Sequence, residues 1–389
     1  MEFLGRNDMT AYLVMMANRL RELHRVLRAT GSLYLHCDPT ASHYLKIVLD
    51  AVFGKENYRT EISWKRQRAH NDAKQGRKQY GNVRDTIFFY TKSQNWTWHW
   101  YYLPYSKDYV GKFYRHQEPI TGRFYQLGDL TAPGGGSPEK RNPRFEFMGV
   151  TRYWRFTEAN MQEMFRRGEI VQTRMGKVPR HKRYLDEAPG MSLQNDWDGL
   201  PPTSKHASLG YPTQKPLALL TRIIETSSHK GDVVLDPFCG CGTAVHAAQM
   251  LKRRWIGIDI AHLAISLIEK RFKDAFGIRY EFQVIGTPKH LDAARDLAKL
   301  DKYQFQYWAI SLVKPQPSQG KKKGADSGVD GLKFFRDLDQ QGVRKIVVSV
   351  KGGGLKADDV RALMAVRERE GAGDYAAHHS GGAEQRHDR

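Results

Sequence analysis

Cysteine is scarce: Cys37, Cys239 and Cys241 are the only three in 389 residues, which excludes a disulfide framework. Cys239 and Cys241 form a CxC with His246 nearby, but no second pair at metal-site spacing follows, so a zinc reading has little support. No run of about 18 apolar residues occurs, and the N-terminus lacks a basic-then-apolar leader pattern; an intracellular, cytoplasmic protein is expected. Acidic residues are outnumbered, 42 Asp and Glu against 62 Lys and Arg, for a net charge of +20. That excess favours a polyanionic partner through phosphate neutralisation and steering, the alternative being a basic protein with no such partner. The length suffices for two or three domains.

What is present is most informative from Val233 to Ile260. Val233-Val234-Leu235-Asp236 reads as an apolar strand, Pro237 to Gly242 as a turn with two glycines, Thr243 to Lys252 as a helix, and Arg254 to Ile260 as a second strand with an acid, Asp259. Glycines in such a β-α-β turn let a nucleotide-like group approach the backbone. Asp259 lies 19 residues beyond Gly240, where an acid can hydrogen-bond a ribose diol. The turn is GxGxxV rather than GxGxxG, which weakens a pyrophosphate reading and admits another adenosine ligand. A glycine turn in an ordinary α/β domain is the plain alternative.

Upstream, Gly210-Tyr211-Pro212-Thr213-Gln214-Lys215-Pro216-Leu217 precedes a helix from Leu217 to about Ser227. Together TQKP, DPFCGCGT and GIDI resemble the amino-group DNA methyltransferases, in the permuted order that puts the target-recognition region before the cofactor half. The resemblance implies S-adenosylmethionine lined by Asp236, Phe238, Gly240 and Gly242, with Asp259 on its ribose and Thr213 and Lys215 closing the methionine end. Taken alone, Lys215-Pro216 equally reads as a helix start. The resemblance covers roughly residues 1 to 288 and implies an α/β fold: a Rossmann-like methyltransferase sheet with an inserted target-recognition domain.

Before that half, apolar residues at helical spacing (Tyr12, Met15, Met16, Leu20, Leu23, Leu27) predict a helix over 10–27, followed by a strand over Leu33–Asp38. A second helix carries Tyr44, Leu45, Ile47, Val48, Ala51 and Val52, and Asp85–Lys92 reads as a buried strand. This alternation predicts a mainly parallel sheet. His36 and Asp38 are candidates to face the site, with a packed or capping role equally open. From about Gln94 to Ala207 aromatics and bases interleave, among them Trp96, Trp98, Trp100, Arg141, Arg144, Arg152, Trp154, Arg174 and Arg180. Stacking faces beside cations suit double-stranded DNA, although about half of these rings are expected in the domain's own core. The polar Lys65–Asn71 segment is a second DNA-contact candidate.

No DPPY, DPPF, NPPY or SPPY occurs. In the family that motif holds the acceptor amine and stacks on the flipped base. It is expected ahead of the first helix, so the start is read as shifted and the catalytic residues for methyl transfer stay unassigned. Cytosine-carbon methylation is disfavoured because no cysteine follows a proline.

The C-terminal part differs in kind. Asp330, Ser349 and Lys351 resemble the Asp and (E/Q)xK of restriction-endonuclease-like folds, which implies a divalent ion such as Mg2+ with Asp330 as ligand. Ser349 replaces the second acid or amide, so the metal site would have one ligand fewer. An active nuclease and a degraded DNA-binding module are both open. The tail from Gly371 is not expected to supply the strand that would come next. The expected domains are therefore 1–93 (half of the methyltransferase sheet), 94–207 (target recognition), 208–288 (cofactor half) and 289–389 (a small α/β nuclease-like domain, incomplete). The reading is a site-specific DNA amino-methyltransferase of a restriction-modification system, partnered by DNA and by a restriction subunit or an N-terminal fragment. The alternative is a catalytically inactive DNA- and cofactor-binding remnant; an oxidoreductase is disfavoured by the absent third glycine.

Overall fold

A computed structural model describes residues 4–67, 76, 78–137, 139–200, 209, 211, 213–277, 282–312, 316–317, 329–336, 343–351 and 356–379. Most of the Lys65–Asn71 segment lies outside them. The chain divides into two compact units: residues 1–99 with 195–389, and residues 100–194. Among the described residues no helix is long and apolar enough to cross a membrane.

In the first unit, helix α1 (Asp8–Val26) starts at Asn7, whose side chain accepts from Thr10 N, and buries Leu13, Met16 and Leu20 on one face. Strand β1 (Ser32–Cys37) leads to α2 (Pro39–Phe53). Pro39 opens α2, Asp38 caps it by accepting from Thr40 N and Ala41 N, and Gly54 follows it at φ 83. Strands β2 (Tyr58–Lys65) and β3 (Arg84–Thr91) complete this half. β3 is central, antiparallel to both β1 and β2, and almost continuously buried. The expected parallel arrangement is thus corrected here: β3 pairs antiparallel with both of its neighbours, and parallel pairing in this sheet is confined to a later strand beside β2. The β2–β3 register shifts by one residue between Tyr58 and Thr60, a bulge at Arg59. Leu20, Leu45, Leu49, Phe88 and Tyr90 fill the core between helices and sheet.

The second unit holds β4 (Tyr102–Leu103), α3 (Lys107–Phe113), β5 (His116–Gln117), β6 (Phe124–Asp129), β7 (Arg144–Phe147), β8 (Val150–Tyr153), α4 (Glu158–Arg166), β9 (Ile170–Val171), β10 (Arg180–Tyr184) and β11 (Met191–Ser192). An antiparallel sheet β5-β6-β10-β9 lies beside the β7–β8 hairpin and the short β4–β11 pair. The hairpin turns at Met148 and Gly149, both at positive φ (54° and 75°), as a two-residue loop matching strand twist requires. Trp154 is fully buried and donates its indole N–H to Phe145 O at 2.9 Å, centring a core with Leu130, Phe147 and Met161. Trp100, Tyr102, Phe113 and Phe124 stay exposed, as do Arg141, Arg144, Arg152 and Arg174.

The chain then returns to the first unit. β12 (Asp196–Trp197) pairs parallel with β2. Helix α5 (Leu217–Ser227), strand β13 (Val233–Asp236), helix α6 (Thr243–Met250) and strand β14 (Arg254–Gly257) form the β-α-β unit, with β13 and β14 parallel. Helix α7 (His262–Phe276) packs Ile268 and Phe272 against Cys239 and Val245. The Tyr34–Ser227 hydroxyl bond (2.6 Å) and His99 N–H to Thr226 O (2.8 Å) tie α5 to the N-terminal half. Finally α8 (Leu291–Leu300), α9 (Lys302–Leu312), β15 (Gln316–Pro317), β16 (Gly331–Arg336), β17 (Val343–Lys351), α10 (Ala357–Arg369) and β18 (Asp374–His379) build a sheet ordered β15-β16-β17-β18. β18 corrects the expectation that no strand follows α10. The open edge of β17 needs backbone partners, and Asp374–His379 supplies them in parallel despite an unremarkable side-chain pattern.

Because Leu45 is fully buried between α2 and the sheet, Leu45→Ala should cost about 2–5 kcal/mol. The expected outcome is a lower urea midpoint at unchanged slope; an unchanged midpoint would contradict this packing.

Candidate functional site

The turn after β13 is held by its own backbone demands. Gly242 caps α6 at φ 75, and a Cβ there would come within 2.5 Å of Ile268 Cγ1. Gly240 has φ 49, and a Cβ would approach the Tyr211 ring at 3.0 Å. Asp259 fastens this turn: Oδ2 accepts from Gly240 N at 2.8 Å and Oδ1 from Ala261 N at 2.9 Å. A carboxylate offers about four lone-pair positions, so two remain for other donors. Asp236 accepts from Phe238 N at 3.2 Å, and burial raises its pKa above the ordinary carboxylate value. Phe238 stands half exposed beside the turn. Asp236, Phe238, Gly240, Gly242 and Asp259 are therefore gathered around one backbone feature, and Tyr211 brings the loop carrying Thr213 and Lys215 against it.

Thr213 and Lys215 themselves line a neighbouring cavity of about 790 Å³ with Tyr12, His36, Asp38, Trp64, Arg66 and Asp85. The Lys215 ammonium donates to Thr213 O at 3.0 Å, and burial lowers its pKa while Asp85 opposes the shift. His36 Nε2 bonds Asp85 Oδ2 at 2.8 Å. Burial lowers the His36 pKa, and the charges of Lys215 and Arg66 add to this while Asp85 opposes it. A neutral imidazole then donates its Nε2–H to the carboxylate. Asp38 serves both roles left open for it, capping α2 and lining the cavity. Sequence reading did not single out Asp85 or Trp64 as site residues, and it named Arg66 only within the Lys65–Asn71 DNA-contact segment, not for this cavity. A carboxylate opening the otherwise apolar strand Asp-Thr-Ile-Phe-Phe-Tyr-Thr was the available signal.

In the C-terminal sheet, Asp330 and Ser349 do come together. Asp330 Oδ2 accepts from Val350 N at 2.7 Å and from Ser349 Oγ at 3.3 Å, and the Gln306 amide donates to Oδ1. Lys351 pairs with Asp359 of α10 at 3.5 Å. This donor set does not fit Mg2+, which asks for several well-placed oxygens. The one carboxylate is taken by neutral donors, and among the described residues no group of three His, Cys, Asp or Glu converges.

Parallel strands, a left-handed glycine turn and an acid fixed to its backbone define an α/β unit. The chain belongs to the N6/N4 DNA methylase family, whose profile ("DNA methylase") matches residues 2–270. It is 30% identical over 274 residues to the Type II methyltransferase M.EcaI of Enterobacter cloacae, covering 67% of this chain and 57% of that protein. It is 26% identical over 260 residues to the Type III restriction-modification enzyme StyLTI Mod subunit of Salmonella typhimurium, covering 64% of this chain and 39% of that protein. The chain thus spans about half the length of these relatives or less. Among solved structures, the PvuII cytosine-N4-specific DNA methyltransferase aligns with 10% identity over 79% of each chain (TM-score 0.41). The M1.HpyAVI complex with S-adenosylmethionine aligns with 15% identity over 67% of this chain and 82% of that one (TM-score 0.35).

The electrostatics can be checked directly. In NMR titrations His36 should show a midpoint below the ordinary histidine value, and Asp85→Asn should lower it further by removing the opposing charge. A midpoint that rises in the variant would refute the arrangement.

Proposed function

We propose that this chain binds S-adenosylmethionine at the turn after β13 and serves methylation of an exocyclic amino group of adenine or cytosine in DNA, within a restriction-modification system. The observation that carries it is the Asp259 clamp on the Gly240–Gly242 turn, with Tyr211, Thr213 and Lys215 brought alongside. The cofactor supplies an electrophilic methyl group on sulfonium sulfur. Asp259 would receive the ribose hydroxyls with its remaining lone pairs, Phe238 would flank the adenine, and Lys215 and Thr213 would hold the methionine end. The basic, aromatic unit of residues 100–194 would face DNA, with Arg141, Arg144, Arg152 and Arg174 exposed for phosphate contact. Relatives named as Type II methyltransferase and Type III Mod subunit support the restriction-modification setting and a restriction partner.

The family's acceptor motif is not in these 389 residues. Positioning and electrostatic stabilisation supply most of a rate enhancement, so a donor pocket alone gives almost none. The 389-residue protein should bind S-adenosylmethionine in calorimetry, with Asp259→Ala roughly ten- to a hundredfold weaker, as expected for loss of a charge-assisted bond. It should transfer no measurable tritium from labelled cofactor to genomic DNA until a DPPY-bearing segment is supplied in cis or in trans. Equal affinities for parent and variant would sink the cofactor assignment, and robust transfer by the chain alone would sink the account of catalysis.

The C-terminal sheet we read as a DNA-binding module that does not cut, because Asp330 is spent on Val350, Ser349 and Gln306. Supercoiled plasmid incubated with the protein and Mg2+ should remain intact. Nicking abolished by Asp330→Asn would overturn this.

A further inference from the structure

The cavity beside the glycine turn contains buried polar atoms with no hydrogen-bond partner among the described residues. Trp64 is 3% exposed and Asp85 4%, yet among the described residues Trp64 Nε1 and Asp85 Oδ1 have no hydrogen-bond partner. Arg66 Nη1 approaches Oδ1 at 3.4 Å as an ion pair, and its own Nε is likewise unpartnered. Burying such groups without partners costs about 1–3 kcal/mol each, so the arrangement is stable only if a ligand or solvent completes it.

The two orphan atoms are placed together by backbone register. Trp64 and Asp85 are direct cross-strand partners on β2 and β3, which puts their side chains on one face about 4.5–5.5 Å apart at Cβ. His36 pins the other side: its Nε2 holds Asp85 Oδ2 at 2.8 Å, and its ring packs edge-on to Trp64 at 5.8 Å. The carboxylate is thereby oriented with Oδ1 left over. One neutral N–H donor and one anionic acceptor sit side by side on the cavity wall, within the same lining as Thr213 and Lys215.

That pair selects by chemistry. Adenine and cytosine each present a ring-nitrogen acceptor next to an exocyclic amine, complementary to an indole N–H beside a carboxylate. Guanine and thymine present a ring N–H next to a carbonyl, which sets donor against donor and acceptor against acceptor. We propose that Trp64 and Asp85 form the recognition wall for the acceptor base, Trp64 donating to the ring nitrogen and Asp85 accepting from the amine to be methylated. His36 is a positioning residue for that wall. The inference rests on the methylase reading for the origin of the base, but the selectivity rests on Trp64 and Asp85 alone.

The test measures binding of dAMP, dCMP, dGMP and dTMP to the 389-residue protein, with and without saturating S-adenosylhomocysteine. The Trp64 indole resonance, assigned through Trp64→Phe, serves as the local probe. With the cofactor pocket filled, dAMP or dCMP should bind at least about tenfold more tightly than dGMP and dTMP and shift that resonance, and Trp64→Phe and Asp85→Asn should each abolish most of the preference, as loss of a buried hydrogen bond requires. Equal binding of all four nucleotides, binding that leaves the indole resonance unmoved, or no binding overturns the proposal. A preference for dAMP that vanishes when S-adenosylhomocysteine is present also overturns it, since the wall would then belong to the cofactor's own adenine. Retained preference in a protein that fails to bind S-adenosylhomocysteine would instead overturn the methylase reading and leave the wall standing.

Discussion

The carboxylate of Asp259 is the interaction on which the half built from β13, α6, β14 and α7 depends. Two backbone N–H groups, from Gly240 and Ala261, converge on it from the turn after β13 and from the start of α7. Without it these donors would be left unpaired in a turn whose glycines already hold left-handed conformations. The same acid so fixes the shape of the turn and, in the proposed function, would offer its remaining lone pairs to the cofactor; the packing of Ile268 under Gly242 and of Tyr211 over Gly240 accompanies that shape.

Much of this half was legible in the chain because its signals are local. Alternation, helix-start residues and glycine spacing match α5 and β13 and the starts of α6 and β14, since each depends on neighbours a few positions away, while α6 and β14 end two and three residues earlier than expected. The cavity was less legible. His36 was visible at the end of a strand, but its partner Asp85 lies 49 residues on, and only antiparallel pairing brings the two together. The mainly parallel expectation failed at this place, because alternation of helices and strands does not report how β2 and β3 are joined. Asp38 shows the opposite case: its capping of α2 is readable from Asp-Pro-Thr-Ala, while its place in the cavity lining is not.

The two remaining regions show how composition divides labour. In the 100–194 unit Trp154 and Phe147 form a core while Trp100 and Phe124 remain at the surface, a partition that composition implies only in proportion. In the C-terminal sheet the residues resembling a metal site have been drawn into the fabric of the fold. Asp330 links the start of β16 to β17 and to α9, accepting N–H and O–H groups from Val350, Ser349 and Gln306.

The bulge at Arg59 reaches further than its place near the start of β2 suggests. Above it Tyr58 faces Tyr90; below it Thr60 faces Phe89, and the ladder then runs evenly to Trp64 opposite Asp85. Were Arg59 paired with Phe89 instead of bulging, the ladder would run on to set Trp64 opposite Arg84 and turn the indole and the carboxylate to opposite faces of the sheet. The composition of the cavity wall is thus a matter of counting as much as of chemistry. Loss of Arg59 would only regularise the ladder and keep Trp64 opposite Asp85, but loss of one residue between Thr60 and Ser63, with the bulge kept, would set Trp64 opposite Thr86 and dismantle the wall while leaving every wall residue in the chain.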